Sequence, residues 1–147
     1  GPRQSARAVI PTIISQIMNG AETVQLGALS PIRDWTYVKD TVGGFAALSA
    51  SENSVGQVTN IGRGMGVSVG EMANLIVELC GSNACIQLDP ARLRPDKSEV
   101  LELICDNRKA HENLGWQPKY SLNKGLEETI EWLRKNPDQY KSAIYNL

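Results

Sequence analysis

Arg33-Asp34-Trp35-Thr36-Tyr37-Val38-Lys39-Asp40 is the stretch around which the sequence is organised. A loop that contains Ser30-Pro31 leads into it, and the run from Trp35 to Val38 has the aromatic and β-branched side chains of a short buried strand. The segment from Thr41 to Ser51 follows at once and carries apolar residues at helical spacing. The stretch therefore predicts a strand that leads directly into a helix, with an arginine at its entrance.

Arg33 is the first candidate binding residue. An arginine on a loop that enters a strand is anchored by its backbone, while its guanidinium can still face solvent. The planar guanidinium matches the oxygens of a phosphate or carboxylate and donates two parallel hydrogen bonds to them. The alternative is a surface ion pair with Asp34 or Asp40, which would contribute little to stability. The choice between the two depends on the rest of the chain.

Composition restricts the class of protein. The chain has 147 residues, of which 41% are hydrophobic and 21% charged, and its formal net charge is −1. These values predict one domain, residues 1–147, and give no reason to expect binding to nucleic acid or to an anionic membrane. No apolar run is long enough to cross a membrane and the start does not resemble a signal peptide, so the expected location is the cytoplasm. The sequence begins at Gly1 without an initiator methionine, and we expect it to be part of a longer protein.

The cysteines and the histidine offer no motif for metal binding. The chain has three cysteines, Cys80, Cys85 and Cys105, with no Cys-x-x-Cys pair among them. We expect them to be small apolar core residues in a reducing compartment rather than metal ligands. The single histidine, His111, lies in a charged helical segment without a partner motif and is expected on the surface.

The first predicted helix contains a candidate backbone site at its start. Apolar residues recur at helical spacing from Ile13 to Met18, and Asn19-Gly20 ends the run. Pro11 suits the first helical turn, so Ala8, Val9 and Ile10 supply backbone N–H groups without helical acceptors. Such a start can bind an anion or a carbonyl oxygen. The alternative is that water or a local turn satisfies these groups.

The remaining segments alternate between strand and helix patterns. Helices are predicted to begin at Ser68, where Glu71 completes a capping box, at Asn107 and at Ser121. No repeat or linker interrupts the pattern, which predicts one α/β unit. Strands are predicted over Thr23–Leu26, Gln57–Ile61, Cys85–Leu88 and Val100–Cys105.

Two partial motifs resemble nucleotide-cofactor chemistry. The strand, glycine run and helix from Val58 to Cys80 resemble a dinucleotide-binding βαβ unit, but the glycines are spaced G-x-G-x-G rather than G-x-G-x-x-G. Tyr120 and Lys124 match the Tyr-x-x-x-Lys of short-chain dehydrogenases. Because Ser121 is the predicted helix cap, Tyr120 lies outside the helix, and the two side chains cannot share a helical face. Neither motif predicts a cofactor site by itself.

An ordered set of short motifs resembles the C-terminal, substrate-binding part of the extended short-chain dehydrogenase/reductase family, the NAD-dependent nucleotide-sugar epimerases and dehydratases. The resemblance covers nearly the whole chain and is greatest to enzymes that take UDP- or dTDP-sugars. It implies a small mixed α/β substrate-binding domain without the Rossmann half. The motifs are Gly1-Pro2-Arg3-Gln4-Ser5, Ala8-Val9-Ile10-Pro11, Leu26-Gly27, the Arg33–Asp40 stretch, Asn60-Ile61-Gly62, Arg94-Pro95-Asp96 and Leu114-Gly115-Trp116-Gln117-Pro118.

The resemblance implies a role for each matching position. Two arginines would hold the diphosphate of the nucleotide sugar, which agrees with the bidentate chemistry of arginine. The other positions would offer backbone or polar contacts, line the base pocket or touch the ribose. The arginines are Arg33 and Arg94; Ala8 and Val9 would offer backbone contacts; Val24, Gln25 and Leu26 would line the base pocket; Ser68 would be a polar contact; and Asp96 would touch the ribose or hold its loop.

The resemblance also implies that part of the catalytic machinery is supplied from elsewhere. In the family, the NAD site and the catalytic Tyr-x-x-x-Lys lie upstream of the position that matches Gly1. Because hydride transfer requires a bound nicotinamide, the chain alone is expected to be inactive and the longer parent protein is expected to bind NAD. In the parent, a Rossmann domain is expected to cover part of the apolar surface of this chain. Copies of the chain are also expected to associate. The alternatives are a standalone binding or oligomerisation module, and a βαβ cofactor binder that would bind NAD by itself.

Overall fold

The computed structural model of the protein describes residues 1–5, 7–93, 95 and 99–137. Within these residues the chain forms five α-helices and five short strands. The helices are α1 Val9–Met18, α2 Val38–Ser49, α3 Val69–Cys80, α4 Arg108–Leu114 and α5 Leu122–Lys135. The strands are β1 Thr23–Leu26, β2 Ile32–Asp34, β3 Gly66–Ser68, β4 Cys85–Leu88 and β5 Glu102–Leu103. Single turns of 3₁₀-helix cover Glu52–Ser54 and Pro90–Arg92.

The strands form two small sheets of different character. β1 and β4 pair in parallel, with Thr23 opposite Cys85. The second sheet has the order β3-β2-β5, and its central strand is antiparallel to β3 and parallel to β5. Ile32 therefore lies between Ser68 on one side and Glu102 on the other. This mixture of sheets and helices confirms the predicted α/β class.

The hydrophobic core lies where α1, α3 and α5 pack together over β1. Each helix presents one apolar stripe to the others, as expected for amphipathic helices. Burying one aliphatic side chain of this size stabilises the fold by about 1.5 to 3 kcal/mol, so a core of this extent offsets much of the entropy cost of folding. Its buried members include Ile13, Ile14, Val24, Met72, Ile76, Leu126, Ile130 and Leu133.

The predicted helix boundaries at α3, α4 and α5 are confirmed by their caps. The Ser68 hydroxyl accepts the Glu71 N–H at 3.1 Å, and the Glu71 carboxylate accepts the Ser68 N–H at 2.9 Å, which completes the capping box. The Ser121 hydroxyl accepts the Lys124 N–H at 3.2 Å. Gly115 ends α4 with φ 61°, a conformation in which glycine avoids steric strain.

The strand predicted over Trp35 to Val38 is wrong in position. Strand β2 ends at Asp34, and α2 already begins at Val38 instead of at Thr41. Tertiary contacts override the β propensity of this segment: the Trp35 ring N–H donates to the Val67 carbonyl at 2.9 Å. The Asp40 carboxylate lies in the first turn of α2, where it accepts the N–H groups of Lys119 and Tyr120. An acidic residue is favoured at that end of a helix.

The strand predicted over Gln57 to Ile61 is also wrong. Residues 57–61 form no sheet with any other described residue. The Lys109 ammonium donates to the Val58 carbonyl at 2.7 Å, and the Val58 side chain is 83% exposed. A β-strand requires a neighbouring strand to complete its hydrogen bonds, and the described part of the chain offers none here. Residues 57–61 therefore present strand-like sequence without a partner strand.

The cysteines are unpaired, and only part of the expectation about them holds. Cys80 and Cys105 are half-buried, whereas Cys85 is exposed on β4 and is not a core residue. Burial raises the pKa of the Cys80 and Cys105 thiols.

Among the described residues, no group of three or more histidine, cysteine, aspartate or glutamate side chains is placed to hold a metal ion. None of the helices that the structure describes has the length and hydropathy to cross a membrane.

Candidate functional site

Arg33 occupies the centre of strand β2, which fixes its backbone from both sides. It lies opposite Val67 of β3 and Leu103 of β5. Its Nη2 donates to the Glu99 carboxylate at 2.9 Å, and its Nη1 donates to the Ile32 carbonyl at 2.8 Å. The partner of Arg33 is therefore Glu99, and neither Asp34 nor Asp40 pairs with it as the ion-pair alternative required.

Asp34 is held by a different set of contacts. Its carboxylate accepts the backbone N–H groups of Arg63 at 3.0 Å, Gly64 at 2.8 Å and Cys105 at 3.3 Å. The Thr36 hydroxyl donates to the same carboxylate at 2.9 Å. Sequence reasoning missed this role, because the donors are distant in sequence. Asp34 fixes the walls of the site beside Arg33.

The close approach of these walls requires a glycine at position 62. A Cβ at Gly62 would lie 2.7 Å from the Cys105 sulfur and 2.9 Å from an Asp34 carboxylate oxygen. Both distances are shorter than real side-chain contacts, so any larger residue would separate the walls. The glycine belongs to the motif Asn60-Ile61-Gly62, which was identified from the sequence alone. The sequence did not indicate that Gly62 contacts Cys105 and Asp34.

Arg33 borders an open cavity of about 640 Å³. Ligand pockets of roughly 300 to 1,000 Å³ can hold a molecule of drug or nucleotide size. One wall of this cavity is apolar, and charged groups lie at its edge. The apolar wall is formed by Phe45 and Leu48 of α2, Ile61, Leu103 and Ile104; the charged groups are Arg33, Asp34 and Asp106.

The two carboxylates at the cavity edge are already bonded to other groups. Asp34 is saturated by the N–H groups described above, and Arg108 contacts the Asp106 carboxylate at 2.6 Å. Hydrogen bonds from Arg108 lower the pKa of Asp106 to about 2, so its carboxylate remains ionised at neutral pH. The third charged group that borders the cavity, Arg33, is paired with Glu99.

The start of α1 meets the prediction only in part and does not border the Arg33 cavity: the Ala8 N–H donates to the Ser5 carbonyl at 2.9 Å, so Ala8 has no free backbone donor. Ala8 is the N-cap and forms no side-chain cap, and among the described residues no acceptor is found for the N–H groups of Val9 and Ile10. Ile10 borders a second, smaller cavity of about 210 Å³, together with Trp35 and Tyr37. Ala8 and Val9 border neither of these two cavities.

The predicted base-pocket residues separate according to strand alternation. Val24 and Leu26 point into the core and are buried, so their side chains cannot line an open pocket. Gln25 faces the opposite side, where its Nε2 donates to the Gln87 side chain at 2.9 Å. The Gln25 backbone N–H is bonded to the side chain of Gln16 at 2.9 Å. Of the three residues, Gln25 is the one whose side chain is not buried in the core.

Three further residues were predicted to contact the ligand. Ser68 is hydrogen-bonded within the chain, and the other two lie outside the residues that the structure describes. The Ser68 hydroxyl serves as the cap of α3 and donates to Glu71 at 2.7 Å, and it does not border the Arg33 cavity. These bonds from Ser68 lower the pKa of Glu71. Arg94 and Asp96 lie outside the residues that the structure describes.

The start of α3 does not fit the pyrophosphate of a dinucleotide. The N–H groups of Val69 and Gly70 donate to the Pro31 and Leu29 carbonyls, and the Glu71 N–H donates to Ser68. The Glu71 carboxylate adds negative charge at the end of the helix where a phosphate would bind. Strand β3 is antiparallel to β2, and β4 belongs to the other sheet, so no parallel βαβ unit is formed here. The topology therefore does not support the alternative of a βαβ cofactor binder at this segment.

Tyr120 lies outside helix α5, as predicted. Its ring packs against Tyr37 with centroids 4.7 Å apart. Glu128 of α5 accepts hydrogen bonds from the Tyr37 hydroxyl at 2.8 Å and from the Lys39 ammonium at 2.7 Å. Burial and the Glu128 carboxylate raise the pKa of Tyr37 to about 12. This cluster attaches the start of α2 to α5, and no motif in the sequence indicated it.

The chain matches a known family over most of its length. Residues 1–129 match the family model described as GDP-mannose 4,6 dehydratase. A dTDP-glucose 4,6-dehydratase from an Actinoplanes species is 31% identical over 137 residues, which cover 92% of this chain and 41% of that protein.

Two solved structures share the fold. The UDP-glucose 4-epimerase of Thermotoga maritima with UDP-glucose superimposes with a TM-score of 0.81 at 34% identity, over 93% of this chain and 43% of that one. The dTDP-glucose 4,6-dehydratase of Bacillus anthracis in complex with NAD gives a TM-score of 0.83 at 25% identity, over 95% and 43% of the two chains. The chain thus spans about two fifths of the length of these relatives.

Proposed function

The chain belongs to the family described as GDP-mannose 4,6 dehydratase, and from this premise we propose that it is the nucleotide-sugar-binding portion of an NAD-dependent epimerase or dehydratase. The observation that carries the proposal is Arg33, which is fixed at the centre of a sheet and borders a cavity of about 640 Å³. The likeness to an epimerase structure that contains UDP-glucose supports the same class of ligand. The substrate is proposed to be a UDP- or dTDP-sugar.

In this proposal, Arg33 and Arg94 bind the diphosphate. A guanidinium that donates two parallel bonds to phosphate oxygens gives both affinity and orientation, which a lysine ammonium does not. Arg33 is well suited because its backbone is hydrogen-bonded to strands on both sides. Gln25 is the candidate contact for the base, and Asp96 is proposed to contact the ribose.

We further propose that catalysis requires a second unit that binds NAD and supplies the acid–base residues. NAD would provide the hydride acceptor, and this chain would bind and orient the sugar nucleotide. Exposed apolar side chains support docking of such a unit: Phe45 and Leu103 border the Arg33 cavity, and Val58 lies on the unpaired segment 57–61. By itself the chain is proposed to be inactive. The alternative is a standalone binding or oligomerisation module.

The proposed location is the cytoplasm. It is supported by the three unpaired cysteines, which a reducing compartment would maintain. Cell fractionation with an antibody against the chain tests it, and recovery in a secreted or membrane fraction would contradict it.

The diphosphate site is tested by calorimetric titration of UDP into the wild type and into Arg33→Ala, Arg94→Ala and Arg92→Ala. Loss of a charge-assisted contact is expected to weaken binding about ten- to a hundredfold for Arg33→Ala and Arg94→Ala. Arg92 pairs with Asp89 at 3.0 Å and serves as the control, with little expected loss. An equal loss in all three variants would indicate a diffuse basic surface, and no loss in any would contradict the proposed function.

The same variants distinguish the parent enzyme from the standalone module. With the NAD-binding unit present, Arg33→Ala is expected to raise the KM for nucleotide sugar and to leave NAD affinity almost unchanged. UDP-sugar turnover by the isolated chain would contradict the proposed division of roles.

A further inference from the structure

Glu99 forms an ion pair with Arg33 that is largely shielded from water. Their side chains are 17% and 22% exposed, and the Nη2 to Oε1 distance is 2.9 Å. Most exposed ion pairs contribute little, but shielding from solvent strengthens the attraction between two charges. The pair therefore places a carboxylate on the group that is proposed to bind phosphate.

Both partners are held in place by the backbone. The Ile32 N–H, next to Arg33, donates to the Leu101 carbonyl at 2.8 Å, and β5 then pairs with β2. Glu99 lies two residues before Leu101, so this pairing brings its carboxylate to Arg33 across the edge of the sheet. Among the described residues, Glu99 is the one carboxylate within ion-pair distance of Arg33.

The chemistry of the pair is that of a bound anion. The Glu99 carboxylate accepts from Nη2 of Arg33, and a phosphate oxygen would accept from the same nitrogen, so the two anions compete for Arg33. A diphosphate that approached the intact pair would also meet the negative charge of Glu99. A ligand with more charge and more acceptor oxygens than one carboxylate is therefore needed to replace it.

We propose that Glu99 is a resident anion that occupies Arg33 in the free chain and that the diphosphate of the ligand displaces it. This inference rests on the proposed function. Glu99 lowers the affinity of the site for every anion and, because displacement favours the higher charge, selects diphosphates over ligands with a single carboxylate. It is a specificity-determining residue of the binding site, and it takes no part in the chemical step.

The test compares Glu99→Gln with the wild type by calorimetric titration of UDP. The glutamine keeps the shape of the side chain and removes its charge, so UDP binding is expected to tighten about tenfold. The matched control is Glu102→Gln, an exposed change on β5 that is expected to leave affinity unchanged. Adding Arg33→Ala to Glu99→Gln is expected to abolish the gain. If Glu99→Gln does not fold, Glu99→Asp replaces it, with a smaller gain expected from its shorter reach.

A second readout does not depend on UDP binding. Phenylglyoxal modifies free guanidinium groups, and mass spectrometry of the peptide that contains Arg33 gives its rate of modification. Glu99→Gln is expected to accelerate modification of Arg33 several-fold, and UDP is expected to protect it. Unchanged UDP affinity with unchanged modification would overturn the inference and leave the proposed function intact. If UDP binds to no variant, the proposed function and displacement by diphosphate both fail, whereas the modification rate still shows whether Glu99 masks Arg33.

Discussion

Asp34 is next to Arg33, the candidate anion-binding residue. Its carboxylate accepts hydrogen bonds from backbone N–H groups in two separate parts of the chain. Arg63 and Gly64 belong to the loop before β3, and Cys105 follows β5. Its removal would leave the N–H groups of Gly64 and Cys105 without this acceptor, whereas the Arg63 N–H also donates to the Thr36 hydroxyl at 3.1 Å. Each such group costs about 1 to 3 kcal/mol.

We expect Asp34→Asn to lower the free energy of unfolding by about 2 to 4 kcal/mol, since an amide has one acceptor oxygen and its NH₂ would face donors. Urea unfolding measures the change. Asp106→Asn removes an exposed carboxylate that pairs with Arg108 and should change the free energy of unfolding by less than about 1 kcal/mol. Equal effects of the two variants would contradict this account of Asp34.

The lowered pKa of Glu128 leads us to expect that the stability of the fold depends on pH. The hydrogen bond from Lys39, followed by that from Tyr37, lowers the pKa of Glu128 from its ordinary value of 4.5. A carboxylate whose pKa is lowered on folding stabilises the protein above its unfolded pKa, and this stabilisation is lost as pH falls through the lowered folded pKa. We expect the Tm difference between wild type and Glu128→Gln to be largest near neutral pH and to shrink below pH 4.5. A difference that stays constant through this range would contradict the assignment.

At the scale of secondary structure, local signals predicted the helices better than the strands. The caps at Ser68 and Ser121 act within one helical turn, so the sequence contains all the information that they need. Strand β2 depends on β3 and β5, and the tryptophan that follows it is fixed by a carbonyl of β3. Residues 57–61 carry a strand pattern without a partner strand in the described chain.

The candidate site also combines features that the local sequence indicates with features that depend on residues distant in sequence. Arg33 could be selected as a candidate from the sequence because its chemistry resides in one side chain and its motif is local, and its role in binding an anion stays a prediction. Its partner Glu99 and the donors to Asp34 are far apart in sequence, and no periodicity reveals them. The burial of Val24 and Leu26 follows from the alternation of β1, but the sequence alone did not show which face of the strand meets the core.

The cap of α5 provides a test at this scale. Ser121→Ala removes the acceptor of the Lys124 N–H and is expected to lower the free energy of unfolding by about 1 kcal/mol. Ser49→Ala, near the C-terminal end of α2, removes no N-cap and should have a smaller effect. Thermal unfolding of both variants measures the difference. A larger loss for Ser49→Ala would contradict the capping argument.

The whole molecule exposes more apolar surface than its core requires. Phe45 and Leu103 border the Arg33 cavity and are 65% and 62% exposed, and Val58 of residues 57–61 is 83% exposed. Contiguous apolar surface commonly marks an interaction site. We therefore expect the isolated chain to associate with itself when no other unit covers this surface.

Sedimentation velocity across a range of concentrations tests this expectation. Phe45→Ser should shift the chain toward the monomer, because it removes a large apolar side chain from the surface. Val55→Ser is a control at another exposed apolar residue that does not border the cavity, and it should leave association unchanged. A wild-type chain that stays monomeric at every concentration would contradict self-association through this surface.

The contacts of Asp34 also have a consequence for synthesis on the ribosome. The carboxylate and the Cys105 N–H are 71 residues apart, so at bacterial to eukaryotic elongation rates roughly 4 to 14 seconds separate their appearance. During that interval water must take the place of the Cys105 N–H as a donor to the Asp34 carboxylate. The walls around Arg33 cannot close until that N–H is available. Nascent chains stalled before Cys105 should therefore be sensitive to protease in the Arg33 segment and available to chaperones, and resistance should appear only after Cys105 and the core helix α5 have left the exit tunnel.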